Sequence, residues 1–306
     1  MVKFSQVREL EEYSKIAGQL GENPFLCMRK LAHKVGLARK TVSIYLESMY
    51  TQNILVGPWI SLNPHTHYRE YVYLVNFADP FCIFQGFKGF PGIVHHAVTI
   101  GLWNTVIITD RLLNFSRFTG FESVVYLGIK GHSYTPEVKY TTWDQSWKKV
   151  YAQLDQFTPG EPEYTNGKLT SLDWGSDQWK LFHAFRLNMR QKVTPVLKEI
   201  DVQYETYTKW KKTLQNHCTA HTEFYPRGYK EYTNYCLLLA TEYHQSVTSL
   251  FSLFPTTPVI IEMGDCLLVF VKVPSDTYRN MIMMLNDMIR REMVRKVNYT
   301  ELCDYR

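Results

Sequence analysis

Residues 26–55 carry the sequence feature that most restricts how this chain can fold. Apolar residues recur at positions 31, 32 and 35 and again at 42, 45, 46 and 49. This spacing places them on one face of each of two consecutive helices. Gly36 and Leu37 lie between the two runs, and a glycine there permits the left-handed conformation that closes a tight turn. The stretch therefore predicts a helix-turn-helix.

The second helix of this pair begins with short and basic side chains that leave its buried face free. Such a helix end can enter the major groove of DNA, because Arg and Lys meet phosphates while Thr and Ser reach base edges. The same pattern would also suit a simple packing unit of a helical domain. We predict DNA binding by Ala38, Arg39, Lys40, Thr41 and Ser43, with phosphate contacts from Arg29, Lys30 and Lys34 of the preceding helix.

The segment GLARKTVSIYL and the QNIL that follows it resemble the helix-turn-helix of the Lrp/AsnC family, the feast/famine regulators. In that family a winged helix precedes a ferredoxin-like domain, which mediates dimerisation and binds small effectors. The resemblance therefore implies a sequence-specific transcriptional regulator of double-stranded DNA. It also implies that the effector is an amino acid or a related metabolite.

The chain after this motif is predicted to form a wing and then a βαββαβ unit. Gly57-Pro58 and Asn63-Pro64 punctuate two short extended runs, as in a wing. From Tyr71 onward, strand patterns alternate with two short helical stretches, which is ferredoxin-like order. We place the winged helix at residues 1–67 and the first ferredoxin-like domain at 68–157. The Pro, Gly and polar content of residues 158–177 predicts a linker.

An offset of 165 residues aligns the first helix-turn-helix with a second stretch that begins at Val196. Most core positions agree, so we predict a second winged helix at residues 178–232 and a second ferredoxin-like domain at 233–306. One α+β chain would then contain the domain pair twice and form an intramolecular pseudo-dimer, which could in turn form a homodimer. The second copy has Asp201 in place of Gly36, and Glu205 would face phosphates unfavourably. We therefore expect base reading mainly in the first copy.

Composition adds few restrictions. The 306-residue chain has a formal net charge of +5, which permits a nucleic-acid partner without requiring one. Its six cysteines are scattered without a CxxC pair, as in a reduced intracellular protein. The first residues lack the apolar core of a signal peptide, and no run of about eighteen apolar residues occurs. We expect a soluble, cytoplasmic protein without a membrane partner.

The effector site is predicted at the two hairpins that begin with glycine. The candidate residues are His96, Gly101, Trp103 and Asn104 in the first ferredoxin-like domain, and Gly264 and Asp265 in the second. The neighbouring aromatic residues would equally suit a core.

The resemblance also carries an enzymatic alternative, because some relatives of the Lrp fold are siroheme decarboxylases. Their motif near this hairpin contains histidines, an arginine and an aromatic patch. Here HHAVTIGLWNTV offers His95, His96, Trp103 and Asn104 but no arginine. The chain has no P-loop, GxGxxG, GxSxG or HExxH motif and no metal-spaced cysteine set. We therefore predict no catalytic residue, metal or cofactor, and a regulator rather than an enzyme.

Overall fold

The computed structural model describes residues 4–164 and 169–305 and has an α+β fold with antiparallel sheets. The predicted α+β class is confirmed. The elements of the first half are α1 (Phe4–Glu22), α2 (Met28–Val35), α3 (Arg39–Thr51), β1 (Leu55–Leu62), β2 (Tyr71–Phe77), α4 (Pro80–Gly86), β3 (Ile93–Gly101), β4 (Thr105–Thr109), β5 (Phe121–Ile129), β6 (Ser133–Tyr134) and α5 (Trp143–Gln156). Those of the second half are α6 (Ser176–Phe185), α7 (Val193–Glu199), α8 (Tyr204–Thr213), β7 (Cys218–Phe224), β8 (Thr233–Ala240), α9 (His244–Phe251), β9 (Val259–Met263), β10 (Cys266–Val273), α10 (Tyr278–Arg290) and β11 (Lys296–Tyr305).

Each half begins with a bundle of three helices that has its own core. In the bundle α1–α3, the side chains of Ile16, Leu31 and Val42 are fully buried against one another because helical spacing places them on facing sides. In the bundle α6–α8, Phe185 and Trp210 occupy the core. No helix of the described ranges combines the length and the apolar character needed to cross a lipid bilayer.

The turns inside the two bundles have the same backbone geometry at the offset of 165 residues. Gly36 has φ 71° and Asp201 has φ 51°, so both lie in the left-handed region. The amide of Leu37 donates to the carbonyl oxygen of Ala32 at 3.0 Å, and the amide of Val202 makes the corresponding bond, at 3.1 Å. The helix after each turn therefore begins at an equivalent position.

Strand β1 differs from the predicted wing. It runs as one strand through Gly57-Pro58 instead of folding back on its own neighbour. Its partner is β7 of the second half, with Leu55 opposite Phe224 and Leu62 opposite Cys218. The predicted extended run at β1 is thus correct, but its partner is a distant strand and not its own neighbour. The two-stranded sheet of β1 and β7 connects the two helical bundles.

The remaining strands form one sheet of nine strands with the order β5-β2-β4-β3-β11-β8-β10-β9-β6. In each half the four main strands have the same arrangement, with the fourth strand beside the first and the third beside the second. Strands β3 and β11 join the halves, with Gly101 opposite Thr300. At the far edge, β6 of the first half pairs with β9, where Ser133 lies opposite Ile261.

One face of this sheet encloses a core that both halves share. Leu74 and Val106 of the first half are fully buried there with Cys236 and Leu268 of the second. The hydroxyl of Tyr126 in β5 donates to the carbonyl oxygen of Met263 at 3.0 Å, so the edge of the first half also contacts the second. The two halves therefore share one core between them.

The outer faces of the two halves are covered differently. Helices α5, α9 and α10 cover the outer face of the second half. The first half has α4, but in place of the second predicted helical stretch it has only a short 3-10 turn, Phe115–Arg117. Val124, Leu127 and Ile129 of β5 are consequently exposed. Within the predicted linker at 158–177, residues 165–168 lie outside the described residues.

Candidate nucleic-acid interface and ligand cleft

The start of α3 is the first candidate site. Ala38 is its N-cap residue, and Arg39 and Lys40 lie in its first turn. The side chains of these three residues and of Ser43 are exposed, whereas Thr41 is half-buried. The structure therefore brings the five predicted residues of this helix together on an accessible helix N-terminus, where backbone N–H groups and the helix dipole favour an anion.

Helix α2 adds further cationic side chains to the same helix-turn-helix. Arg29 and Lys30 are exposed and, within the described residues, make no side-chain hydrogen bond or ion pair. The third predicted residue, Lys34, is paired with Glu22 at 3.2 Å. Such an exposed ion pair is weak and exchanges readily for a phosphate contact. Lys34 can therefore also contact a phosphate, but it contributes less binding free energy than Arg29 or Lys30, because its ion pair with Glu22 must first break.

The charge of this helix pair is strongly asymmetric. Residues 28–51 contain five Lys or Arg residues and a single carboxylate, Glu47. Because Glu47 lies in the third turn of α3, the first turn faces no acidic neighbour on its own helix. Most of the modest net charge of the whole chain is therefore concentrated on one surface, as expected of a nucleic-acid interface.

Ile44 is a residue of this surface that the sequence-based prediction missed. Its side chain is 54% exposed although the buried face of α3 lies at Val42, Leu46 and Met49. Ile44 follows Lys40 by four residues and therefore lies on the same helical face. An apolar side chain at this place can contact the methyl group of thymine. The sequence signal that could have identified Ile44 is its position, because it falls outside the helical spacing of the apolar residues that form the buried face of α3.

The equivalent surface of the second bundle carries a carboxylate, and two of its lysines make internal contacts. Lys209 is paired with Glu205 on the same helix at 2.8 Å. The Lys211 ammonium lies 4.3 Å from the centre of the Phe25 ring, so it packs on the first bundle. Tyr204, at the start of α8, is 65% exposed and uncharged. The two helix-turn-helix copies therefore present different chemistry.

Two of the predicted effector-binding residues hold the β3–β4 hairpin. Trp103 is fully buried in the core between the halves, and its carbonyl oxygen accepts a hydrogen bond from Thr99 Oγ1 at 2.7 Å. The Asn104 side chain bonds both backbone groups of Phe77, at 3.0 and 2.7 Å. The contacts in the structure are those of packing and hairpin closure.

The other predicted effector residues lie elsewhere. His96 is buried on the outer face of the sheet, with Nε2 3.0 Å from the carbonyl oxygen of Phe84. Gly264 has φ 68° in the β9–β10 turn, and Asp265 accepts a hydrogen bond from Arg295 at 2.7 Å. Gly101 lines an open groove where β3 of the first half meets β11 of the second. The six residues are thus distributed over opposite faces and separate turns.

A cleft of about 460 Å³ lies between the first half of the sheet and α6. Its walls include Tyr68, Phe90, Trp179, His183 and Arg186. The last three follow one another at spacings of four and three residues, which places them on one face of α6. This spacing is the sequence signal that could have identified the cleft.

Charge in the cleft favours an anionic ligand. Arg186 is half-buried and has no ion pair within the described chain. Asp110, the carboxylate of the cleft, is engaged by the neighbouring Arg111 at 2.6 Å. Burial, and then the nearby Arg186 guanidinium, lowers the pKa of His183. A guanidinium beside aromatic walls is the arrangement that binds carboxylates on flat rings.

The Tyr68 hydroxyl is held at the edge of the cleft by an acidic neighbour. It donates to Glu70 Oε1 at 3.4 Å, and the other oxygen of Glu70 pairs with Lys130 at 2.7 Å. Glu70 and Lys130 are both buried. Burial, and then the negative charge of Glu70, raises the pKa of Tyr68, so this phenol stays protonated and its single hydrogen remains directed to Glu70.

No family model and no curated protein matches the sequence. Two solved structures match the fold. One is the crystal structure of the siroheme decarboxylase NirDL, at 10% sequence identity and a TM-score of 0.45, with 96% of this chain and 91% of that chain covered. The other is the crystal structure of the same enzyme in co-complex with an iron-uroporphyrin III analogue, at 10% identity and a TM-score of 0.43, with 96% and 92% covered.

These matches correct one sequence-based prediction. We predicted a protein that is not an enzyme, and this is contradicted, because the protein in both matched structures is an enzyme. An identity of 10% carries no residue role from that enzyme to this chain. Within residues 4–164 and 169–305, no group of three His, Cys, Asp or Glu side chains is placed to hold a metal ion.

Proposed function

We propose that this chain binds double-stranded DNA through its first helix-turn-helix and acts as a transcriptional regulator. The observation that carries the proposal is the cationic surface of α2 and α3. There, Arg29 and Lys30 at the start of α2 and Arg39 and Lys40 at the start of α3 are exposed and form no ion pair within the described residues. Phosphate neutralisation by such residues supplies most of the affinity of a DNA-binding protein.

The architecture supports a tandem arrangement of two helix-turn-helix bundles, each followed by a ferredoxin-like unit. Both four-stranded units have the strand order of a ferredoxin-like domain, and both bundles contain the same turn geometry. The resemblance of the GLARKTVSIYL segment to Lrp/AsnC regulators adds support from the sequence. In this proposal the pseudo-dimer supplies one base-reading helix, α3, and one helix, α8, that at most contacts the DNA backbone.

The DNA-binding proposal is tested with two double variants, each of which replaces two cationic residues of one bundle by alanine. We expect Arg39→Ala with Lys40→Ala to weaken binding to the region upstream of the protein's own coding sequence. The slope of log affinity against log salt should fall by about 1.8, or about 0.9 for each phosphate that the variant no longer neutralises. Fluorescence anisotropy at several salt concentrations measures both quantities.

The control is Lys209→Ala with Lys212→Ala, which removes two cations from the second bundle. We expect this variant to change affinity and slope much less, because the Glu205 carboxylate in the first turn of α8 repels phosphates. A scrambled duplex separates base reading from backbone attraction. If the α3 variant retains the affinity and the slope of the original protein, the interface is not at α3.

A second candidate function is tetrapyrrole binding, with or without chemistry on the tetrapyrrole. The cleft at α6 favours it, because Arg186 offers a cation for a carboxylate and the His183 ring beside it offers nitrogen atoms for hydrogen bonds. Aromatic walls suit a flat macrocycle.

Titration with iron-uroporphyrin, followed by visible absorbance, tests this candidate. We expect saturable spectral changes and about tenfold weaker binding for Arg186→Gln, since a charge-assisted hydrogen bond contributes roughly 1.5–3 kcal/mol. Lys180→Gln changes a cation on the same helix outside the cleft and should leave binding unchanged. A spectrum that does not respond to the protein would exclude the tetrapyrrole function and leave the DNA-binding proposal untouched.

A further inference from the structure

An open groove of about 550 Å³ lies where the two halves of the sheet meet. Its lining combines Gly101 at the end of β3 with residues of β8, β11 and the start of α10. Gly101 lies directly opposite Thr300, and a Cβ atom at position 101 would be only 2.8 Å from Thr300 Cγ2. The glycine thus allows the close approach of β3 and β11 that forms the floor of the groove.

Three tyrosines form one side of this groove. The Tyr235 ring stacks on Tyr278 with centroids 6.0 Å apart and meets Tyr299 edge-on at 6.5 Å. The hydroxyl groups of Tyr278 and Tyr299 lie 3.0 Å apart and fix the two rings relative to each other. This hydrogen bond, and then burial, raises the pKa of Tyr299 to about 12, so the ring is a neutral phenol. Neutral aromatic faces attract cations through the ring quadrupole.

The charge of the groove has one sign. Glu301 lies opposite Tyr235 in the β11–β8 register and is exposed. It makes no ion pair within the described parts of the chain. None of the nine residues that line the groove is Lys or Arg. A carboxylate beside three aromatic rings, without a compensating cation in the lining, attracts a positively charged ligand.

We propose that this groove binds an organic ammonium ion, with the cation held between the Tyr278 and Tyr299 rings and the Glu301 carboxylate. Methylated or otherwise substituted ammonium groups suit it better than a metal ion, because rings and a single carboxylate replace little of the hydration shell of a metal. The site is separate from the DNA interface and from the cleft at α6. Because residues of both halves line the groove, a bound ligand contacts both parts of the pseudo-dimer.

The test compares choline with 3,3-dimethylbutan-1-ol, which has the same shape without the charge. Isothermal titration calorimetry on the full chain should show saturable binding of choline and none of the alcohol. We expect Glu301→Gln and Tyr278→Leu each to weaken choline binding about tenfold, whereas Tyr278→Phe retains the ring and most of the affinity.

Two control variants change the same residue types outside the groove. Tyr204→Leu and Glu122→Gln remove an exposed tyrosine and an exposed carboxylate and should leave the affinity for choline unchanged. Circular dichroism and the unfolding temperature of each variant confirm that it folds. Equal binding of choline and the alcohol, no saturable binding of choline, or equal reductions in affinity for groove and control variants would each overturn the proposal. None of these results depends on DNA binding.

Discussion

At the scale of single residues, the least expected group is a histidine buried where the halves meet. His221 of β7 is fully buried, and its ring stacks on Trp59 of β1 with centroids 4.0 Å apart. Its Nε2 lies 2.7 Å from Ser61 Oγ, which in turn lies 2.6 Å from Ser133 Oγ. Burial, with a smaller effect from the charge of Lys130, lowers the pKa of His221 from 6.5 to about 3. The ring is therefore neutral in the folded protein.

This histidine should make stability depend on pH. Below pH 6.5 the unfolded chain binds a proton that the folded chain rejects until about pH 3. The stabilisation that comes from the lowered pKa of His221 is thus fully present above pH 6.5. As the pH decreases from 6.5 towards 3, the free energy of unfolding falls by at most about 1.4 kcal/mol per pH unit. Urea unfolding at a series of pH values measures this dependence.

Replacement of His221 by glutamine provides the comparison. Other histidines titrate in both proteins, so the difference between the two pH profiles isolates residue 221. We expect a shallower slope for His221→Gln between about pH 4.5 and 6.5, whatever its stability at neutral pH. Parallel profiles would show that His221 accepts a proton in the folded state.

At the scale of elements, the turns of the two helix-turn-helix units have the same left-handed backbone conformation but different residues. Gly36 adopts its left-handed conformation at little cost, whereas Asp201 adopts it against the contact between its Cβ and backbone. A Cβ at Gly36 would meet no atom within 4 Å, so only backbone conformation distinguishes the two positions.

Reciprocal substitutions should therefore have opposite effects on stability. We expect Asp201→Gly to raise the free energy of unfolding and Gly36→Ala to lower it, each by about 1 kcal/mol. Chemical denaturation with unchanged m-values measures the two differences. Changes of the same sign would mean that the turns are not equivalent in energy.

Elements built from local spacing were predictable from the sequence, and those built from distant partners were not. The helices around Gly36 follow from apolar residues three and four apart, and Asp201 was found by a fixed offset. Strand β1 was recognised as extended, but its partner β7 lies in the other half, and no local pattern encodes that choice. Arg186 has a local signal in its spacing from Trp179 and His183, but the cleft itself also needs Tyr68 from the first half, which no local pattern encodes.

At the scale of the whole molecule, the two halves have the same strand order, and we propose that they form a pseudo-dimer. They share one sheet and the core on its inner face, while their helical bundles differ in charge. Covalent linkage allows each copy to change independently, since no symmetry requires both to keep the same surface. This explains how α3 retains an accessible cationic start, whereas on α8 Lys209 pairs with Glu205 and Lys211 packs on Phe25. Whether the pseudo-dimer forms a homodimer stays a prediction.

The β3–β11 pairing also has a consequence for synthesis on the ribosome. Strand β3 is made early, but the strand that covers its edge is β11, which follows nearly the whole second half of the chain. During that interval the first half has an unpaired edge, a template for pairing with other nascent chains. Closing so long a loop is also slow. Until β11 pairs with β3, the nascent chain is therefore exposed to aggregation at this edge.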